Sequence, residues 1–266
     1  MNVSLQNRKT FGENLKFWRK LKKRSQMELA LDLGISAKHL SFVETGRSKP
    51  SRELVCKLAS ALKLPLREQN IFLNSAGYNS EFREASLENS QLIIIKESLE
   101  RMLENHNPYP AFVINTSYDI LMTNSSYRDL VAFFIGKNKS KEFTNVMELT
   151  FHRDGLSSFI QDWNLISDFL LSRIWDEMIT TGNPKLEVLY KKLTESRRKN
   201  EKEVLRSNSE HNLPVFSLTL TKNKKSLRFF SMITTFGTPL DLTCQELRIE
   251  SMYPADEVTK SFFLKR

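Results

Sequence analysis

The chain is poor in cysteine, glycine, proline and histidine: 266 residues hold two Cys, eight Gly, eight Pro and four His. Cys56 and Cys244 are too far apart in sequence for a zinc knuckle or a disulfide framework, so a reducing cytoplasm is the expected compartment. His39, His106, His152 and His211 are scattered, no HExxH occurs, and no metal site with dedicated ligand spacing is visible. A glycine-rich phosphate loop and a GxSxG elbow are missing as well. Clean apolar runs such as Val131 to Ile135 are short, whereas a membrane span needs about 20 residues. The opening MNVSLQNRKTF has no apolar stretch of the kind a secretion signal carries. No internal repeat or low-complexity tract is present. These absences argue against a membrane protein, a secreted scaffold and the common metal or nucleotide enzymes. No cofactor is expected.

What is there begins with charge. The net charge is +9, and all of it falls in residues 1–80, which carry fifteen Lys and Arg against six Asp and Glu. The remainder has 25 of each sign. A basic head joined to a neutral body is the distribution of a nucleic-acid-binding module, although a basic surface also aids solubility. The length suits about two domains, and eighteen Phe with three Trp are enough to fill sizeable cores.

Residues 8–78 read as five short helices. Phe11, Leu15, Trp18 and Leu21 mark the first. Ser25 with Glu28 is a capping box opening the second, which ends at Gly34. Ser36 caps a third carrying Leu40 and Val43, closed by Gly46. The fourth starts at Lys49-Pro50-Ser51, and Pro65 takes the first position of a fifth ending at Gly77. Residues 79–91 are polar and aperiodic, and read as a linker. Residues 92–266 form the second domain. Leu92, Ile95, Leu99 and Met102 make a helical stripe, serving either a dimer contact or packing onto their own domain. Two short strands follow at 111–115 and 119–123, with Asn124 as the cap of a helix. Residues 145–193 are mostly helical in pattern, and 194–212 is a mixed-charge solvated face or loop. Strands are expected at 215–221, 226–235 and 245–252. The fold class is therefore α+β, with an antiparallel sheet and helices over one face of it.

Ser25-Gln26, Leu29-Ala30, Gly34-Ile35-Ser36, Glu44-Thr45-Gly46, Pro50 and Leu58-Ala59 carry a resemblance to the lambda-repressor-like, or XRE, helix-turn-helix family. The resemblance implies double-stranded DNA as partner and Ser36–Glu44 as the recognition helix. Ser36, Ala37, Lys38, His39, Ser41 and Phe42 would then face the groove. Lys38 suits guanine O6/N7, and Ala37 or Phe42 a thymine methyl. Gln26 matches a phosphate contact at a helix N-terminus, and Arg47 and Lys49 suit phosphate clamping. Arg19 and Glu44 match positions that form a structural ion pair in the family. One head reads few base pairs, so a homodimer on two half-sites about 34 Å apart is expected.

The stretch from Tyr109 to Glu257 resembles the C-terminal, PAS-like ligand-binding domain of MmyB-like regulators. The resembling pieces are Pro110-Ala111-Phe112-Val113, Asp119-Ile120-Leu121 with Asn124, Asn145-Val146-Met147, Gly155-Leu156, Asp162-Trp163 and Phe236 to Glu250. The chain departs from the family at Ser157, where members often carry Arg, and lacks the His-Pro-Glu of another branch. The resemblance implies a bound fatty acid or other small apolar molecule. Phe112, Ile114, Leu121, Phe134, Trp163, Phe229 and Ile233 are the candidate pocket residues, with a place in a filled core as the simpler use of each. Arg173 and Arg248 are candidates for an acidic head group, with an ion pair to Glu246 or Glu250 as the other use of Arg248. Cys244 is a redox sensor or, more simply, a small buried apolar residue. Two further readings stay open. The C-terminal domain only dimerises or binds a protein partner, or it is an enzyme, for which no nucleophile–base pair is visible.

Overall fold

The computed structural model describes residues 10–199, 217–237 and 239–265. The chain divides into two compact units. The first runs to Glu84 and takes in Met178–Pro184 and Leu240–Leu242; the second holds the rest.

The first unit has five helices: α1 (Phe11–Leu21), α2 (Gln26–Asp32), α3 (Ala37–Glu44), α4 (Arg52–Ala61) and α5 (Leu66–Ser75). Local chemistry starts most of them. Thr10 with Glu13 and Ser25 with Glu28 are complete capping boxes, and Ser36 and Ser51 cap α3 and α4 through their hydroxyls. Each cap satisfies amide groups that a helix start leaves open. Pro65 is the residue before α5 rather than its first helical residue, with ψ of 153°. Leu15, Trp18, Leu29, Leu40, Val43, Leu58 and Phe72 form the centre of the core. Within it the Trp18 indole N–H donates to Glu68 at 3.1 Å, joining α1 to α5.

Two glycines are demanded by geometry. Gly34 turns the chain between α2 and α3 at φ +66°, which side chains rarely adopt. Gly12 lets α1 lie against the end of α3: a Cβ there would meet the Glu44 carbonyl oxygen at 2.2 Å. Of the segment read as a linker, the part up to Glu84 lies on this unit. The Asn70 side-chain carbonyl accepts from the amides of Glu81 and Phe82, both at 3.0 Å. Arg67 pairs with Glu84 at 2.6 Å.

The second unit opens with α6 (Ile93–Asn105), then β1 (Ala111–Ile114), β2 (Ile120–Thr123), α7 (Ser125–Ile135), α8 (Lys137–Ser140) and α9 (Val146–Phe151). It continues with α10 (Trp163–Thr181), α11 (Pro184–Lys199), β3 (Ser217–Lys222), β4 (Lys225–Thr234), α12 (Leu242–Glu246), β5 (Arg248–Pro254) and α13 (Glu257–Leu264), of which only Met178–Thr181, Pro184 and Leu242 fall in the first unit. The five strands make one sheet in the order β2-β1-β5-β4-β3, with every neighbouring pair antiparallel. Two hairpins thus form the edges and the last strand closes the middle.

Strand alternation sorts the sheet's two faces. Ala111, Val113, Leu247 and Ile249 pack with Leu99 and Leu103 of α6 on one. Phe112, Glu250 and Ile233 share the other, as register partners across β1, β5 and β4. Ile95 and Leu99 of the α6 stripe therefore pack onto their own domain, while Ile94 is 74% exposed. Asn124 is buried and ties this layout together. Its side-chain carbonyl caps α7 at Tyr127 N and accepts from Ala111 N, and its amide donates to Leu103 and Tyr109 carbonyls.

Two elements differ from the sequence expectation. Leu242–Glu246 is helical, so the last strand begins at Arg248 rather than residue 245. α13, capped by Asp256, follows it unannounced. Residues 8–9 of the first domain, 200–216 of the mixed-charge run and third strand, and 266 lie outside the described residues. Cys244 is buried.

Candidate functional site

In the first unit, α2 and α3 are joined by the turn at Gly34, and α3 turns Leu40 and Val43 into the core. The opposite side carries the candidate DNA contacts. Ser36 and Lys38 are exposed; His39, Ser41 and Phe42 are half-buried. Ala37 is half-buried and packs against the core, so only part of its methyl is available. The Lys38 ammonium lies 5.7 Å from the Phe42 ring centroid and the Arg47 guanidinium 5.9 Å from it. Phe42 thus holds two exposed cations over one patch, a favourable cation–π arrangement. Lys49 is exposed, with its ammonium 5.6 Å from the Tyr78 ring. Such a patch can donate to bases and neutralise phosphates.

Beneath it, Arg19 and Glu44 form a two-pronged pair, Nε to Oε1 at 2.6 Å and Nη2 to Oε2 at 3.1 Å. Arg19 also donates to the Arg24 carbonyl at 2.8 Å. Gln26 donates to Glu44 at 2.7 Å, so its side-chain amide holds the end of α3 and the amides at the start of α2 are left as the group able to meet a phosphate.

The second unit holds a cavity of about 390 Å³ between the sheet face of Phe112 and helices α7, α9 and α10, open to solvent where Phe169, Ser231 and Ile233 are exposed. Its wall is mainly apolar, with Leu130, Met147, Leu170, Leu218 and Phe229 among the lining residues. Four of the nominated residues line it: Phe112, Arg173, Phe229 and Ile233. The other five lie elsewhere. Ile114 is fully buried on β1. Phe134 packs edge-on against Phe133 and Phe159, and Trp163 against Phe151. Leu121 is 41% exposed, on the edge strand β2. Arg248 donates to Glu177 at 2.7 Å, a partner other than Glu246 or Glu250.

The cavity's polar groups are Tyr127, Arg173, Ser231 and Glu250, with Thr150 already donating to the Val146 carbonyl. Sequence reasoning missed Tyr127, Ser231 and Glu250. The signals were there: the Asn124 cap sets the phase of α7, and alternation puts Arg248, Glu250 and Met252 on one side of β5. The Tyr127 hydroxyl is buried and has no hydrogen-bond partner among the described residues. Burial pushes its phenol above the usual range, with Glu250 adding to the shift. Burial likewise raises the Glu250 carboxyl, opposed by a hydrogen bond with Ser231 and by Arg173 and Arg248. Arg173 Nε reaches Glu177 at 3.3 Å, and both arginines lie over the Tyr118 ring, at 5.7 and 6.0 Å.

Among the described residues no group of three His, Cys, Asp or Glu could hold a metal ion, and no helix is long and apolar enough to cross a membrane.

Comparison with known families gives two matches. The family described as MmyB-like transcription regulator ligand binding domain matches residues 95–264, and a helix-turn-helix family matches residues 15–69. No curated protein matches the chain. A solved structure described as an RNA-binding light-oxygen-voltage receptor is similar at 9% identity, covering 96% of this chain and 62% of that one. Its TM-score of 0.23 is too low to speak to fold or function.

Proposed function

The chain belongs to the MmyB-like transcription regulator ligand-binding domain family, with a helix-turn-helix segment ahead of that domain, and we propose that it is a sequence-specific, homodimeric regulator whose second unit senses a small apolar molecule. The cavity carries this reading. Its volume falls in the range of small-molecule sites, and it is apolar with a few convergent polar groups. The ligand is a fatty acid or another molecule with a comparable apolar body. The order of the five strands supports a PAS-like description of the domain. Exposed Ile93, Ile94 and Met102 on α6 support the homodimer. No step of bond chemistry is assigned to the chain.

Lys38 and Phe42 read bases, and Arg47 and Lys49 hold phosphates. The ligand acts by shifting a population: it alters operator affinity only by as much as it prefers one dimer geometry. A tenfold change needs about 1.4 kcal/mol of that preference. Native mass spectrometry of the full chain, followed by titration with operator DNA, tests the whole reading. A dimer that retains or takes up an apolar molecule, and whose DNA affinity changes with it, is expected. A chain that binds DNA equally well with the cavity empty or filled refutes the sensing role.

A further inference from the structure

The cavity's polar end has a charge balance that bears on which ligand it accepts. Among the described residues the charged groups there are Arg173 and Glu177 on α10 and Arg248 and Glu250 on β5. Glu177 bridges the two arginines. Glu250 faces both of them electrostatically, with Ser231 of β4 bonded to its carboxyl. Tyr118, ahead of β2, lies under both guanidinium groups, and Tyr127 of α7 is the remaining titratable group facing Glu250. Two cations thus meet two carboxyl groups. With Glu250 ionised, a ligand carboxylate would enter as a third anion against two cations already matched; all four charged groups are half-buried, so the unmatched charge is only partly screened by solvent and is disfavoured.

The neutral groups tell the complementary story. The Tyr127 hydroxyl is buried, on the cavity wall, and without a hydrogen-bond partner among the described residues. A buried donor left unmade keeps a desolvation penalty, so a ligand oxygen that accepts from it removes a standing cost. Glu250 beside it, when ionised, accepts a hydrogen bond. At ~30 Å³ per water-sized group, the cavity holds roughly a dozen heavy atoms.

Resting on the reading of the cavity as the ligand site, we propose that it selects an amphiphile of about that size with an uncharged head that both accepts and donates a hydrogen bond, a primary amide or alcohol, over a free carboxylate of the same chain length. The head accepts from Tyr127 and donates to Glu250, while the chain lies among Phe112, Leu130, Met147 and Phe229.

The test is calorimetric titration of the full-length protein with decanamide, 1-decanol and decanoate near pH 7.5. The neutral ligands are expected to bind about tenfold or more tightly than decanoate. Glu250→Gln leaves the cluster with one excess positive charge, so decanoate should gain about tenfold and the preference should close. Tyr127→Phe, which removes only the hydroxyl, should weaken decanamide by about tenfold, and it keeps the test open if the Glu250 variant fails to fold. Decanoate binding as well as the neutral ligands overturns this selectivity and leaves the ligand site standing. An unchanged preference in Glu250→Gln overturns the charge argument. If none of the three binds, the ligand site itself is refuted, and the selectivity with it.

Discussion

Replacing Glu44 by Gln should destabilise the helical unit severely, and the structure says by how much. The Arg19 and Glu44 side chains are only 10% and 2% exposed, and they share two short hydrogen bonds. Removing the carboxylate charge leaves a guanidinium nearly out of water without its paired charge, held by the Arg24 carbonyl and the one acceptor oxygen that Gln retains. Breaking one side of such a pair costs about 3–5 kcal/mol, a large share of the 5–15 kcal/mol that holds a typical domain folded. Hydrogen exchange read by mass spectrometry on peptides from α1 and α3 is the assay, because it isolates this unit from the other. Amides there should exchange about 10² to 5 × 10³ times faster in Glu44→Gln than in the parent. Arg19→Met should cost a similar amount, since it strands the carboxylate. The double variant should recover part of the loss, because neither charge is then unmatched. Two single effects each below about 1 kcal/mol, adding without coupling in the double variant, would refute the reasoning.

Three further outcomes are expected. Lys38→Ala should change sequence preference, whereas Arg47→Ala should weaken all DNA alike and reduce the salt slope by about one, read from binding isotherms across salt concentrations; equal losses on specific and random DNA for both would count against the assignment. Gly12→Ala should destabilise the helical unit by at least the ~1–3 kcal/mol of an overpacked core, read as a lower melting temperature, since its methyl meets the Glu44 carbonyl; an unchanged melt would show that α1 can move aside. The Glu250 carboxyl is raised above its ordinary value of 4.5, so the stability it contributes is full below that value and lost as pH rises through the folded-state value. Glu250→Gln should therefore gain stability relative to the parent as pH increases above that ordinary value, and parallel melting curves across pH would contradict the burial argument.

The helical unit was legible because its instructions are local. Ser25 with Glu28, Ser36 and Ser51 announce helix starts within four residues, and Gly34, Gly46 and Gly77 mark turns at positive φ. Trp18 bonded to Glu68 is different: fifty residues separate them, and nothing in either segment signals the bond. The cavity was harder for a related reason. Bulk aromatic residues such as Phe134 and Trp163 were natural choices for a pocket wall, but they pack against other rings. Composition fixes how much apolar volume exists and not where a gap is left in it. Glu250 was hidden by its own charge, because a carboxylate on an alternating strand reads as solvent-facing. Arg173, 77 residues earlier in the chain, is one of the groups that oppose the burial penalty there, and sequence spacing alone does not place them together.

Asn124 has a mechanical consequence. One amide group grips the last turn of α6 on the far side of the sheet, the start of β1, and the first turn of α7, whose Tyr127 reaches the cavity. Any guest that pushes α7 along its axis must stretch that grip or drag its holders along. The sheet is thereby bypassed: a tug begun among the apolar side chains arrives at the helix behind them through a single planar hinge pin.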